Sequence, residues 1–316
     1  MTPLDIAIVM DPIESITVKK DSSFAMLLEG QRRGHRMHYA TRGGLALAGG
    51  RALGQLAPIR VKDDPSDWFR LEPARLRPLA DMDVVLMRKD PPFDAEFLYD
   101  TMVLESAQRD GVLVVNDPRG LRDLNEKLAA LLFPELCPPT LVSRDIEGLS
   151  AFVREHGECV LKPLDGMGGR SIFRTRPDDD NLRPILETLT QGGQRLSLVQ
   201  RYIPEILDGD KRVLLVDGEA VPYMLARVPQ KGDFRGNLAV GGRGEGRPIT
   251  AVEAAIAARV GPELRRRGML FVGLDVIGGF LTEVNVTSPT CIRELDAQFG
   301  LNIAGGLFER IESLRG

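Results

Sequence analysis

Between Phe271 and Thr290 the chain reads FVGLDVIGGFLTEVNVTSPT, and this stretch constrains the fold most because it sets three hard oxygen ligands into otherwise apolar strand sequence. Gly278-Gly279 divides it into two arms, with Asp275 on the first and Glu283 and Asn285 on the second. Side chains alternate across a strand, so Glu283 and Asn285 share one face while Val284 and Val286 turn to a core. A two-residue turn at the glycines pairs Asp275 with Thr282 and sends Glu283 to the opposite side. A three-residue loop, Gly278 to Phe280, or a single bulge, sets Asp275 across from Glu283. The odd-numbered arrangement is predicted, because two carboxylates and a carboxamide on one wall suit Mg²⁺, which takes oxygen ligands and keeps water and substrate phosphates. The plainer alternative is an exposed hairpin face decorated with acids. The apolar flanks weigh against it, as does the following Thr287-Ser288-Pro289-Thr290-Cys291, a small-hydroxyl loop suited to a carboxylate or phosphate.

A chain of 316 residues suits two or three packed units rather than one. Net charge of −4 and a pI near 5.6 argue against a general nucleic-acid or membrane-surface binder, which needs a basic excess. Aromatic residues make up 5%, so no stacking platform for bases stands out. Cys137, Cys159 and Cys291 show no CxxC spacing and no even framework, and no signal-like or membrane-spanning run occurs; a cytoplasmic setting is expected.

The amino-terminal third alternates strand and helix. Strands are predicted at 5–10, 36–40, 84–87 and 112–115, with helices at 22–33 and 94–109 and Asp21 or Ser22 as the first cap, a pattern that implies a parallel sheet. Residues 42–58 are Gly-rich and read as loop or hairpin, and 119–132 as one helix. Pro138-Pro139 is a candidate boundary. A middle unit follows with strands 140–143, 159–162, 171–175 and 196–200 and helices 145–156 and 181–191. The last unit opens with a hairpin around Asp217-Gly218, then a glycine-dense segment, 228–248, a helix over 251–267, the two acidic arms, and a closing helix from Ile303.

Lys162-Pro-Leu-Asp-Gly166-Met-Gly168-Gly169 joins two predicted strands; its glycines allow a backbone to approach phosphate, although a floppy hairpin loop reads the same. No Walker A and no GxGxxG fingerprint is present. Lys162 and Lys127 are candidate phosphate partners, against a bland reading as surface lysines. Gln200-Arg-Tyr202-Ile203-Pro204 fits an adenine slot or an interdomain hinge. Arg212 follows Asp208-Gly-Asp210, Arg227 ends the partner strand, and Arg235 and Arg243 lie in the glycine-dense segment, where a long loop clamps an anion or is merely solvated. Arg88 stands at the carboxyl end of a parallel strand, where ligands of open α/β sheets bind, and is a carboxylate-clamp candidate. His35, His38 and His156 form neither a triad nor a metal set, and Cys291 reads as packing rather than a nucleophile.

Taken in order, MDPI at 10–13, KKDSSFAML at 19–27, LMRKDPPFD at 86–94, NEKL at 125–128, KPLDGMGG at 162–169, DGDKR at 208–212, GNLA at 236–239, GGRGE at 241–245 and TEVNVTSPTCIRE at 282–294 resemble bacterial glutathione synthetases, which are ATP-grasp ligases. The resemblance covers nearly the whole chain. It implies an α/β protein with α+β grasp domains: an N-terminal parallel-sheet substrate domain, 1–120, a central lid-type grasp subdomain, 121–202, and a catalytic subdomain, 203–316, with a Gly-rich loop closing over about 229–242. The implied reaction joins γ-glutamylcysteine to glycine through an acyl phosphate formed from ATP. Carried over by position, Asp275, Glu283 and Asn285 hold Mg²⁺, or Mn²⁺ in its place. Lys127, Lys162, Gly166, Gly168, Gly169, Gln200, Tyr202, Ile203 and Asp210 bind ATP. Arg212 and Arg235 are catalytic, Arg88 and Arg227 bind substrate, and Ser288 and Thr290 are assigned to the glycine end. Many ATP-grasp enzymes carry a glutamate where this chain has Gln200. A homo-oligomer, a tetramer, is implied as well. The rivals are another carboxylate–amine ligase of the same fold and a nucleotide-binding protein without turnover.

Overall fold

The computed structural model describes residues 2–238 and 241–316; Ala239, the last residue of the GNLA match, and Val240, both in the closing loop expected over 229–242, lie outside them. In the first unit β1 (Asp5–Met10) leads to α1 (Ser22–Arg32) and β2 (Arg36–Ala40). An antiparallel extension follows, β3 (Leu45–Ala48), β4 (Arg51–Val61), β5 (Phe69–Leu71) and β6 (Arg75–Pro78), and then β7 (Val84–Arg88), α2 (Ala95–Arg109) and β8 (Leu113–Val115). Strands β2, β1, β7 and β8 lie side by side and parallel. Their near-continuous apolar sequence is what a sheet covered on both faces requires: Ala7, Val9, Val85 and Met87 enter one core and Ile6, Ile8, Val84 and Leu86 the other. Asp21 is the cap of α1, its Oδ1 accepting from Phe24 N at 2.7 Å. The Gly-rich section is a hairpin, turning at Gly49 and Gly50, both at positive φ.

The helix expected over 119–132 is broken into α3 (Pro118–Asp123) and α4 (Glu126–Ala130). Asn125 is the cause. Its Oδ1 accepts from Lys127 N and Leu128 N and so caps a new helix, the usual way an Asn side chain competes with helix continuation. The break aims the first turn of α4, Glu126 and Lys127, inward.

The middle sheet comprises β9 (Thr140–Ser143), β10 (Cys159–Pro163), β11 (Phe173–Thr175) and β12 (Ser197–Arg201), antiparallel in the order β11-β10-β12-β9. Cys159, Leu161 and Val199 face α5 (Ile146–His156) and α6 (Leu182–Thr190), which leaves Val160, Lys162 and Gln200 on the open side. The last sheet runs β15-β14-β13-β16-β17, from β13 (Asp210–Val216), β14 (Glu219–Val228), β15 (Arg243–Pro248), β16 (Phe271–Ile277) and β17 (Phe280–Asn285). Helix α7 (Ala251–Arg266), started by a Thr250/Glu253 capping box, packs on its apolar face, and α8 (Ile292–Phe299) and α9 (Ile303–Arg315) close the chain.

Two further features depart from expectation. The glycine-dense segment contains β15, where Gly244 and Gly246 serve close packing rather than looseness: a Cβ on Gly246 would lie 2.4 Å from the Phe299 ring. Helix α8 had no counterpart in the sequence reading. The first and last sheets are bolted together by Asn116, whose side chain donates to Phe271 O at 2.8 Å and Val286 O at 2.7 Å and accepts from Phe271 N at 2.9 Å. Among the described residues no helix is long and apolar enough to cross a membrane.

Candidate active site

A cavity of about 640 Å³ lies between the middle and last sheets, with loops of the first unit at one end. Its floor is one face of the last sheet. Strand alternation brings Asp210 and Arg212 of β13, Arg227 of β14, Asp275 of β16 and Glu283 and Asn285 of β17 to that face. Gly278 and Gly279 make a two-residue turn, Ile277 pairing with Phe280, and the register then slips: Val276 faces Leu281 but Asp275 faces Glu283. Thr282 is the extra residue, its Oγ1 donating to Asp275 O at 3.1 Å. The predicted arrangement is therefore reached by the bulge, not the three-residue loop.

Four floor residues form one ionic chain. Arg212 Nε lies 2.6 Å from Asp275 Oδ1, and Arg227 Nη2 lies 2.9 Å from Asp275 Oδ2 and 2.6 Å from Asp210 Oδ2. All four are buried, with Asp275 only 2% exposed. Burial works against charge there, yet Arg212 and Arg227 hold the Asp275 carboxyl well below the usual range. Two cations and two anions leave the set neutral, which is how buried charges are tolerated. Gly273 is part of the arrangement, since a Cβ there would sit 2.8 Å from the Arg212 stem.

Beyond Asp275 the floor is open. Glu283 Oε1 stands 3.8 Å from Lys127 Nζ and 3.7 Å from Lys162 Nζ, too far for hydrogen bonds, and Asn285 Nδ2 is buried without a partner. Among the described residues no cluster of three or more His, Cys, Asp or Glu side chains is arranged to hold an ion. The three expected ligands do share the cavity, but Asp275 gives both oxygens to guanidinium groups.

The opposite wall carries Lys162, Gln200, Tyr202 and Ile203, with Gln200 Nε2 donating to Thr140 Oγ1 at 3.0 Å and Arg174 stacked 4.0 Å over the Tyr202 ring. The glycine loop is held by side-chain donors on its carbonyls. Asn125 Nδ2 reaches Leu164 O at 2.9 Å, Lys127 Nζ reaches Gly166 O at 2.8 Å, and Arg235 Nη1 reaches Gly169 O at 2.9 Å. Gly166, Gly168 and Gly169 all line the cavity.

Ser288 and Thr290 line the cavity; Arg88 does not. It lies buried beneath their loop, donating to Pro289 O at 2.8 Å and Ser23 Oγ at 3.1 Å, and burial lowers its pKa to about 10. Arg243, grouped with the clamp by sequence, sits exposed on β15 beside Glu245. Cys291 is buried and its thiol is pushed up by that burial, in line with a packing role. Sequence reasoning assigned nothing to Glu126, Lys20 or Glu294, all on the cavity surface. Burial, reinforced by Glu283 and partly offset by Lys127, pushes the Glu126 carboxyl up to about 7. NEKL and the final Glu of TEVNVTSPTCIRE belong to the quoted blocks, so the signal was present without a role attached.

Two family models match the chain: prokaryotic glutathione synthetase, N-terminal domain, over residues 4–122, and prokaryotic glutathione synthetase, ATP-grasp domain, over 126–300. The chain belongs to the prokaryotic glutathione synthetase family. It is an ATP-dependent ligase of that family, with an N-terminal α/β domain and an ATP-grasp portion. The glutathione synthetase of Xanthomonas campestris pv. campestris is 67% identical over 310 residues, covering 98% of each chain, and that of Escherichia coli O157:H7 is 55% identical with the same coverage. Among solved structures, D-cycloserine synthetase DcsG superposes with a TM-score of 0.68 at 14% identity, over 98% of this chain and all of that one. ATP-grasp ligase PsnB, complexed with minimal precursor, Mg and ADP, gives 0.63 at 17%, over 100% and 99%. These two share the fold.

Proposed function

We propose that this glutathione synthetase family member joins γ-glutamylcysteine to glycine in a reaction driven by ATP, through an acyl phosphate, releasing ADP and phosphate. The observation that carries the reading is a cavity with a neutral arginine–aspartate floor, a carboxylate beside it that two lysines approach without hydrogen bonding, a carboxamide nitrogen without an acceptor, and a lysine-backed glycine loop facing them. The work divides among three units: residues 1–120 for substrate, 121–202 to cover the nucleotide and 203–316 for catalysis.

Lys127 and Lys162 draw the ATP phosphates, while Gly166, Gly168 and Gly169 let the backbone approach them. Gln200, Tyr202, Ile203 and Asp210 line the remaining nucleotide slot. The donor set fits a magnesium ion at one place: Glu283 makes no hydrogen bond among the described residues, and turning the Asn285 amide would present its oxygen where its nitrogen now lacks an acceptor. Glu283 and Asn285 would hold Mg²⁺, or Mn²⁺, and the ion would screen phosphate charge. Asp275, the third expected ligand, acts through the two arginines it fixes.

A carboxylate oxygen of the cysteinyl residue attacks the γ-phosphorus and ADP leaves. The glycine nitrogen then attacks the acyl carbon, the acyl C–O bond breaks, phosphate departs and the amine proton passes to solvent. Arg212 and Arg227 face the charge that builds in both steps, and Arg235 closes the roof against water, which would hydrolyse the acyl phosphate. Arg88, assigned by the resemblance to the donor carboxylate, acts from beneath the loop of Ser288 and Thr290, which it fixes and which receives glycine. Assay of the purified chain for ADP is the test. Release that requires γ-glutamylcysteine and glycine is expected, and release only with other acids or amines overturns the reading.

A homo-oligomer, the tetramer of the resemblance, belongs to the same proposal; Leu47, Leu71, Leu76, Tyr99 and Met102 are exposed apolar side chains available to it. Light scattering decides that point. The proposed setting is the cytoplasm, in keeping with three free thiols.

A further inference from the structure

At the end of the cavity lined by loops of the first unit, two opposite charges lack a side-chain partner. Glu294, in the first turn of α8, lines the cavity with its Oε2 buried and unbonded. Lys20, in the loop before α1, lines it too, and its ammonium makes no hydrogen bond or ion pair among the described residues. Each is close enough to feel the other's field, yet they are not in contact. The neighbouring acids are engaged: Asp11 pairs with Lys89 at 2.8 Å, Asp21 caps α1, and Asp90 lies in the field of Arg88. A buried carboxylate oxygen without a donor costs free energy until a cation arrives.

Position in the sheet decides which substrate end reaches this pair. The carboxyl-terminal end of α8 packs on β14 and β15, through Gln298 and Phe299, whereas its first turn, with Glu294, lies in the field of Arg212 on β13, two strands from the β17 of Glu283. At about 4.8 Å per strand, the separation is roughly 10 Å. An extended two-residue donor covers about 7 Å, and a hydrogen bond of about 3 Å at each end carries it across that span. Glycine is too short to bridge from the phosphates to this end. A γ-linkage leaves the donor's distal α-amino and α-carboxylate groups both free on one carbon, a compact zwitterion that needs one anion and one cation.

We propose that Glu294 and Lys20 read the distal amino-acid head of the acyl donor, Glu294 accepting from its α-ammonium and Lys20 donating to its α-carboxylate. The assignment rests on the ligase reading above and extends it to two residues that set donor specificity. Burial raises the Glu294 carboxyl above its ordinary range, and an incoming ammonium restores the charged form.

The experiment compares three donors, γ-glutamylcysteine, glutarylcysteine without the α-amino group and 4-aminobutyrylcysteine without the α-carboxylate, on the wild-type chain, E294Q and K20M. In E294Q the kcat/KM preference over glutarylcysteine falls by roughly 10- to 100-fold, the worth of one charge-assisted hydrogen bond, while the preference over 4-aminobutyrylcysteine is kept. K20M shows the reverse. The loss falls on KM for the donor, not on KM for glycine. Each preference is a ratio within one variant, so partial unfolding cancels, and K20M alters an exposed side chain that folding does not need. Unchanged preferences, or a rise in KM for glycine instead, overturn the assignment alone. No ADP release by the wild-type chain with γ-glutamylcysteine and glycine would strike down the ligase reading and this assignment together.

Discussion

The floor and the cover of the cavity are fixed by opposite means. On the floor, Arg212, Asp275, Arg227 and Asp210 hold one another through buried charge pairs, so the guanidinium groups are in place before any ligand arrives. Above it, the glycine loop is tethered by three side-chain donors on single carbonyls, from Asn125, Lys127 and Arg235. Buried pairs are costly to break, because one lost partner leaves an uncompensated charge. Single hydrogen bonds to a half-buried loop are worth about 1–3 kcal/mol each and open more readily than a buried ion pair. A ligase with a reactive acyl phosphate needs both properties: preset charge where the barrier is lowered and a roof that lets substrates in.

Three substitutions probe this contrast, beginning with the most damaging. Arg212→Met leaves Asp275 buried with half its compensation. It is expected to cut kcat by at least about 10³-fold and unfolding free energy by roughly 3–5 kcal/mol, read by ADP release and urea denaturation. A stability loss under about 1 kcal/mol would mean that the floor is not preset by this pair.

Glu126→Gln addresses the seam between floor and cover. An acid whose folded pKa is raised binds its proton more tightly when folded, so its stabilising contribution is complete below about 4.5 and disappears as pH rises through about 7. The ligand-free wild-type chain should lose roughly 3–4 kcal/mol of stability across that window from this group. The Gln variant should show a flatter profile in urea midpoints, and an identical slope would place the proton elsewhere.

Gly169→Ala loads the cover alone. Gly169 has a φ of +80°, and a Cβ would approach Asn237 Oδ1 to 2.9 Å. KM for ATP is expected to rise about tenfold, with global stability changed by no more than about 1 kcal/mol. A stability loss as large as that of Arg212→Met would erase the distinction between the two regions.

What the sequence disclosed follows the same division. The strand period and the oxygen ligands required Asp275 and Glu283 to share a face, and the Thr282 bulge met that requirement. The apolar runs of β1 and β7 read directly as a covered parallel sheet. The partners of Asp275 were another matter, because Arg212 and Arg227 come from strands far away in the chain and only the sheet order brings them within reach. The break at Asn125 hid inside a helical pattern, since one capping side chain outweighed the local propensity. Burial of Glu126 and Glu294 followed from that break and from α8, neither visible in periodicity. Lys127, Lys162 and the glycine loop were legible as phosphate candidates, but their hold on one another was not.

Anyone seeking a hardier catalyst would be drawn to the glycines of β15, since replacing flexible glycine by alanine is a common stabilising step. At position 246 the added methyl would push into the Phe299 ring, itself stacked on Tyr223 at 3.8 Å. That ring ends the helix on which Glu294 stands. The damage from so small a change would appear first as a blurred choice among donors, well before it appeared as a lower melting temperature.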